Sequence, residues 1–365
     1  MGAGRPAEEP SVPAPVGVLR VLGVAIRLMG RLGRSGARPP VVAVDRDLRL
    51  VVREVRAEAR DVVSIRMGRP AGSFDALPTW QPGAHLDVVL PSGRVRQYSL
   101  CGDPADRSSY RIAVRRLADG GGGSREVHEL RPGAELTVRG PRSAFPLVRA
   151  PRYLFVAGGI GITPILPMVR AVAETAADWR LVYAGRERDL MPFLGELTAL
   201  DPARVTLWSD AEHGRPPTGA ELLAEAPGVG TVVYLCGPGP MLSGVRAALD
   251  SDSDRAGVGA RAVTALHVER FASAPVLGGQ PFVIEMARSG TRCAVPADRT
   301  ALQVLRERLP GVSYSCQQGF CGTCRVRVLA GEVDHRDRVL TAAERGDSMT
   351  ICVSRATGDR LVLDL

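Results

Sequence analysis

The sequence predicts a multidomain chain: an antiparallel β-barrel, then a doubly wound parallel α/β sheet, then a small β-grasp domain. Three observations predict it. Short strands broken by Gly and Pro fill residues 48–147. Apolar strands alternate with helical stretches from Arg152 onward. Cys316, Cys321 and Cys324 stand at C-x4-C-x2-C spacing, with Cys352 after a long gap. The expected division is an extension over 1–44, the barrel over 45–148, the α/β domain over 149–271, a linker over 272–281 and the last domain over 282–365. A chain of 365 residues, 45% hydrophobic and 24% charged, has room for that many cores.

Charge is uneven along this order. The net charge is +8, and all 47 basic residues are Arg. Such uniform usage reflects coding bias, so a single Arg is weak evidence of a site. Residues 1–44 hold six Arg and two Glu, a net of +4. No basic block is interleaved with aromatics, which argues against a nucleic-acid partner. Residues 1–15 are Pro- and Ala-rich and read as disordered. Over residues 16–34, Arg20, Arg27 and Arg31 fall on one helix face. The longest uncharged piece there, Val21 to Ile26, is far too short to span a bilayer. A helix of this kind could make weak contact with a membrane surface. A poorly ordered extension is preferred, because Gly17, Gly23 and Gly30 each cost a helix about 1 kcal/mol.

The barrel strands are expected at Leu50–Val55, Val62–Met67, His85–Leu90, Arg96–Leu100, Tyr110–Arg115 and Glu135–Arg139. Two stretches there carry chemistry. In Arg96-Gln-Tyr98-Ser99-Leu100, Arg can neutralise a phosphate and Tyr offers a flat face to a planar ring. An ordinary edge strand fits the pentapeptide equally. A glycine run, Gly120 to Gly123, leads into Ser124 and His128, with Ser124 suited to an N-cap. Free N–H groups at that helix start can hold a phosphate. A flexible loop fits four glycines as well.

From Tyr153 to Ala157 the chain is continuously apolar, then reads Gly158-Gly159-Ile-Gly161-Ile-Thr163-Pro164 and turns helical to about Ala177. A glycine turn between a buried strand and a helix lets backbone approach a pyrophosphate. Its form is not G-x-G-x-x-G, which argues against a plain Rossmann dehydrogenase. Strands at Arg180–Ala184, Val205–Ser209 and Val232–Cys236 and helices at Phe193–Leu200 and Met241–Leu249 complete the alternation. Cys236-Gly237-Pro238 ends another strand, where such sheets bind ligands. The thiol could equally be a packed core residue. Residues His267 to Phe271 close the domain.

The last domain is expected to open with a hairpin, Phe282–Ala287 and Arg292–Val295, followed by a helix at Ala301–Arg308 and strands at Val326–Leu329 and Thr350–Val353. The cysteine spacing is the plant-type pattern for a [2Fe–2S] cluster. Four thiolates must converge on one small volume, and a tight loop supplies three. Zinc ribbons use paired C-x2-C motifs, and only Cys321 and Cys324 have that spacing. The three other cysteines form no disulfide framework, which points to a reducing cytoplasm.

Together these residues resemble the phthalate dioxygenase reductase family, within the ferredoxin–NADP reductase superfamily. The resemblance covers residues 48–365 in the family's order: flavin barrel, nicotinamide domain, ferredoxin domain. It implies that Arg96, Tyr98, Ser99 and Leu100 bind flavin, with Ile112, Ala113 and Val114 passing the flavin ring. It implies a phosphate-end motif at Gly122, Gly123, Ser124 and His128, the form associated with FMN rather than FAD. Gly158, Gly159, Gly161 and Pro164 match the nicotinamide motif, with Gly237 and Pro238 across the crevice. Thr163, Cys236, Glu269 and Phe271 are the residues expected at hydride transfer. NADH is expected; Arg186, just past a strand, could instead meet the 2′-phosphate of NADPH. Cys316, Cys321, Cys324 and Cys352 are the expected cluster ligands. The implied activity is an NAD(P)H-dependent reductase that supplies electrons to a separate terminal oxygenase, Rieske-type or cytochrome P450. The alternative is a non-enzymatic redox sensor acting through a partner.

Overall fold

In this computed structural model the described residues are 47–365 apart from 74, 119–121, 144, 252–257, 272–275, 277, 310, 315–316 and 320–321. The extension over 1–44, Gly120, half of the expected linker, Cys316 and Cys321 lie outside them.

Six antiparallel strands form the first sheet: β1 (Asp47–Ala59), β2 (Val62–Gly68), β3 (Ala84–Val89), β4 (Val95–Ser99), β5 (Ser109–Arg115) and β6 (Glu135–Ser143). Their order is β4-β3-β6-β1-β2-β5, and a bridge between Leu100 and Ile112 joins the two ends. Closure removes the exposed edges that an open sheet would present. Alternate residues point inward, so Leu50, Val52, Ile65, Met67, Leu86 and Val88 make one core. Helix α1 (Gly123–Glu129) packs on β5.

The second sheet is parallel, in the order β11-β10-β7-β8-β9. It contains β7 (Arg152–Gly158), β8 (Asp178–Gly185), β9 (Val205–Ser209), β10 (Thr231–Cys236) and β11 (Val263–Glu269). Strands covered on both faces read as unbroken apolar runs, and β7 and β10 do. The helices are α2 (Ile162–Ala173), α3 (Leu194–Thr198), α4 (Asp210–His213), α5 (Gly219–Ala224), α6 (Gly239–Leu249) and α7 (Val258–Ala262). The chain leaves β7 toward β8 on one side, while β10 lies on the other. That reversal is the switch point where such sheets form a crevice. Strand β11 differs from expectation: the sequence reading took its end only as a closing segment.

The third sheet has the order β13-β12-β18-β14-β16, with β12 (Phe282–Met286) and β18 (Arg360–Leu363) parallel at its centre. Around them lie β13 (Arg292–Val295), β14 (Arg325–Ala330) and β16 (Ser348–Thr350). A separate two-stranded pair joins β15 (Val333–Asp334) to β17 (Arg355–Ala356). Helix α8 (Ala301–Arg308) lies across the sheet and begins with a capping box between Thr300 and Gln303. This is a β-grasp arrangement. The strand expected at Thr350–Val353 instead ends at Thr350 and turns there, where Ser354 N donates back to Thr350 O at 3.0 Å.

Candidate active site

Strand β4 carries Arg96, Tyr98 and Ser99 toward one end of the barrel. Burial pushes the Tyr98 hydroxyl up to about 12, although Arg96 opposes it. The Arg96 guanidinium sits against the first residue of α1: a Cβ on Gly123 would stand 2.9 Å from its Nε. A side chain there would have to push Arg96 aside. Gly122, not Ser124, caps the helix, with a left-handed φ of 85°. Ser124 is the second residue of the helix instead, and its hydroxyl accepts from Leu117 N at 3.0 Å. His128 Nε2 lies 3.0 Å from Val114 O, which docks α1 on β5. Leu100, Ile112 and Val114 belong to the barrel core, so their side chains face away from any ligand on the outer wall. Ala113 points the other way, into the core shared with the parallel sheet.

Across from β4 the two glycine turns press together. A Cβ on Gly161 would meet Cys236 O at 2.2 Å, and one on Gly158 would meet Pro238 Cδ at 2.5 Å. Gly159 takes a φ of 54°. Thr163 is buried, and its hydroxyl donates to Ile160 O at 3.0 Å, which tightens the turn into α2. Pro164 is also buried, in the first turn of α2. Register places Ala157, Cys236 and Glu269 side by side on β7, β10 and β11. Burial, then the Glu269 charge, pushes the Cys236 thiol well above its ordinary value, so it stays protonated. Glu269 is 8% exposed and accepts from Ser99 Oγ at 3.3 Å. Burial outweighs that hydrogen bond and pushes its carboxyl up to about 8. The structure therefore brings Ser99, Cys236 and Glu269 together from two sheets. Phe271 is 51% exposed beyond them. Arg186 is exposed past β8, its carbonyl accepting from Ala211 N at 2.9 Å.

The cysteine loop faces the same region. Cys324 and Cys352 are both buried, and the Ile351–Cys324 hydrogen bond sets their segments side by side. Gln317, Gly319 and Gly322 all have left-handed φ values, of 54°, 77° and 73°. A Cβ on Gly319 would stand 2.6 Å from Val353 Cγ2, so this glycine also serves close packing. Gln318 Nε2 donates to Arg270 O at 2.9 Å, which ties the loop to the residue after Glu269. A crevice of about 750 Å³ separates the barrel from the third sheet and is lined by Arg94, Arg96, Arg306, Tyr314 and Thr323, among others. Arg96 of the flavin motif and Thr323 of the cysteine loop thus open on one space.

Two family descriptions match the chain: an oxidoreductase NAD-binding domain over residues 155–247 and a 2Fe-2S iron-sulfur cluster binding domain over residues 284–357. Vanillate O-demethylase oxidoreductase of Pseudomonas sp. (strain HR199 / DSM 7063) is 39% identical over 325 residues, 87% of this chain and 100% of the relative. The solved structure of phthalate dioxygenase reductase, described as modular for electron transfer from pyridine nucleotides to [2Fe-2S], superposes with a TM-score of 0.64 at 36% identity. That match covers 88% of this chain and 98% of the solved one. The chain belongs to the phthalate dioxygenase reductase family. It also matches an intact type IV self-sufficient cytochrome P450 monooxygenase at 39% identity and a TM-score of 0.66, covering 91% of this chain and 43% of that one.

As a member of that reductase family, the chain is an oxidoreductase with a nicotinamide and an iron–sulfur module. Its residues fit the groups these modules take. Two buried cysteines beside a loop of left-handed residues suit a [2Fe–2S] cluster. Gly161 has no room for a side chain because its turn packs on the Cys236 carbonyl, while Gly159, with nothing within 4 Å of where a Cβ would stand, leaves open backbone before α2 that suits a pyrophosphate. The Gly123 seat beside Arg96 suits a phosphate. Sequence reasoning missed Gln318, and it had no signal for the pairing of Ser99 with Glu269, which are far apart in the chain. No helix among the described residues is long and apolar enough to cross a membrane.

Proposed function

We propose that this chain is the NADH-dependent reductase of a two-component oxygenase system, working in the cytoplasm. It takes a hydride from NADH at the crevice between barrel and parallel sheet. It delivers single electrons through Cys316, Cys321, Cys324 and Cys352 to a separate terminal oxygenase, Rieske-type or cytochrome P450. The observation that carries this reading is the shared crevice: Arg96 and Thr323 line it together. A flavin held on β4 by Arg96 and Tyr98 would therefore lie beside the cysteine loop. Bound FMN would supply the conversion of one hydride into two one-electron steps. FMN rather than FAD is favoured because Arg96 and the start of α1 form a phosphate seat.

The chain's own residues orient and hold. The Gly158–Gly161 turn seats the pyrophosphate against the N-terminus of α2. Thr163 and Pro164 stiffen that helix start. Ser99 Oγ donates to Glu269 Oε2, which leaves Oε1 to carry the proton below pH about 8. Glu269 is thus a proton holder at the flavin edge rather than a fixed charge. Cys236 stays a neutral thiol packed behind the nicotinamide turn. Gln318 clamps the cysteine loop to Arg270, next to Glu269.

The test is to identify the flavin released by mild denaturation of the purified chain and to follow NADH oxidation. FMN, with steady turnover of an artificial acceptor and a [2Fe–2S] spectrum, is expected. FAD would keep the electron path and overturn the FMN assignment. A chain with both groups but no steady turnover would favour a redox sensor.

A further inference from the structure

Glu196, in α3, is where the barrel and the parallel sheet are tied most tightly. Arg111 in β5 grips its carboxylate with both terminal nitrogens, Nη1 to Oε1 at 2.9 Å and Nη2 to Oε2 at 3.0 Å. Arg170 in α2 donates to Oε2 from the other side. The Arg111 side chain is only 11% exposed. Its guanidinium lies 4.6 Å from the centroid of the Phe193 ring. Phe193 is buried and holds a left-handed φ of 66° just before α3. A bulky residue is held in that conformation only where the surroundings enforce it. Burial pushes the Glu196 carboxyl up, but the Arg111 and Arg170 guanidiniums outweigh burial and hold it below its ordinary value. It is therefore charged throughout the neutral range. The ion pairs from Arg60 to Glu187 and Asp189, also across this seam, are half-exposed and screened by water.

The elements that meet at Glu196 lead to the two reacting partners. Strand β5 continues from Arg111 to Ile112, whose bridge to Leu100 ties it to the end of β4. Cys101 N donates to Arg111 O at 2.9 Å, which pins that strand at the closure of the barrel. Helix α2 begins at the nicotinamide turn and reaches Arg170 two turns later. A bidentate arginine–carboxylate pair fixes direction as well as distance. We propose that Glu196 is a positioning residue for hydride transfer, registering α2 and its glycine turn against β5 so that the nicotinamide stands at reacting distance from the flavin. The inference rests on the reductase reading above. A misplacement of about 1 Å between reacting groups can slow a step about 100-fold, so a tie far from the chemistry can govern its rate.

The test uses the full, flavin- and cluster-loaded chain in anaerobic stopped-flow reduction by NADH and by NADH deuterated at C4. Glu196→Gln should slow flavin reduction at saturating NADH by at least about tenfold. The deuterium effect should reach its full value, and the NADH concentration giving half-maximal rate should change by less than about twofold, since the nucleotide's own contacts remain. Glu196→Asp should restore part of the rate. Amide exchange in the loaded chain should rise in Arg111–Val114 and Ile162–Val169 for the Gln variant. If Glu196→Gln folds poorly, Arg111→Lys keeps the charge and loses the fork, and should slow reduction by at least about threefold. A folded, flavin-loaded variant of either kind that reduces at the wild-type rate would overturn the inference alone. A wild-type chain that takes no electrons from NADH would overturn the reductase reading and the inference with it.

Discussion

Glu269→Gln should flatten the pH dependence of folding stability. Glu269 is 8% exposed, and the hydrogen bond it accepts from Ser99 Oγ at 3.3 Å does not offset the loss of water around a charge. Its carboxyl moves from an ordinary 4.5 up to about 8. The folded chain therefore keeps a proton that the unfolded chain releases. Stability from this group is complete below pH 4.5 and is lost as pH rises toward 8. At 1.36 kcal/mol per unit, the full loss is about 5 kcal/mol, and about 3 kcal/mol of it has occurred at pH 7. Glutamine matches the shape of the neutral acid and cannot ionise. The variant should equal wild type near pH 4.5 and exceed it progressively to pH 8. Urea unfolding followed by Trp fluorescence at five pH values between 4.5 and 9 measures the difference. Parallel curves for the two proteins, within about 0.5 kcal/mol throughout, would refute the proton-holding role given to Glu269. The same residue should leave its mark on flavin reduction, where loss of an ionisation near pH 8 would appear only in wild type.

Other perturbations probe the remaining parts of the site. Gly161→Ala places a Cβ 2.2 Å from the backbone oxygen of Cys236, which cannot rotate away, and should cost at least about 2 kcal/mol in denaturant unfolding. Cys321→Ser should remove the visible cluster spectrum and the reduction of one-electron acceptors while keeping NADH-driven reduction of a two-electron dye; full-rate one-electron reduction would break the electron path drawn here. Arg355→Met removes a guanidinium that is 1% exposed and donates to Arg299 O, Gln280 O and Pro296 O. Three orphaned carbonyls should cost about 3 kcal/mol, read as earlier thermal bleaching of the cluster.

What could be read in the sequence follows from what each signal needs. Strands β2 and β7 need only local alternation or a local apolar run, and both were placed within a residue or two. The cysteine loop needs only spacing. Strand β11 was missed as a strand because Val263–Glu269 mixes Thr264 and His267 into its apolar residues, and its pairing with β10 supplies what its own composition lacks. Strand β18 is four residues long, and its place at the centre of its sheet comes from two neighbours distant in sequence. Ser124 looked like a cap because it follows a glycine run, yet the left-handed φ at Gly122 lets the helix start earlier. Nothing local marks Ser99 as the partner of Glu269, or Arg111 and Arg170 as the two hands on Glu196. Such pairings exist only once two sheets have packed.

Strand β11 has a practical consequence for exchanging parts between reductases. It lies beyond residue 247, where the match to the NAD-binding description ends, yet it forms the outer edge of the parallel sheet and delivers Glu269 to Ser99. A chimera spliced at 247 would inherit a foreign edge strand and a foreign acid at the flavin. A splice placed after Phe271 keeps both with their native barrel. At that seam the hydrogen bond from Gln318 to Arg270 O is the contact a foreign third domain would have to reproduce.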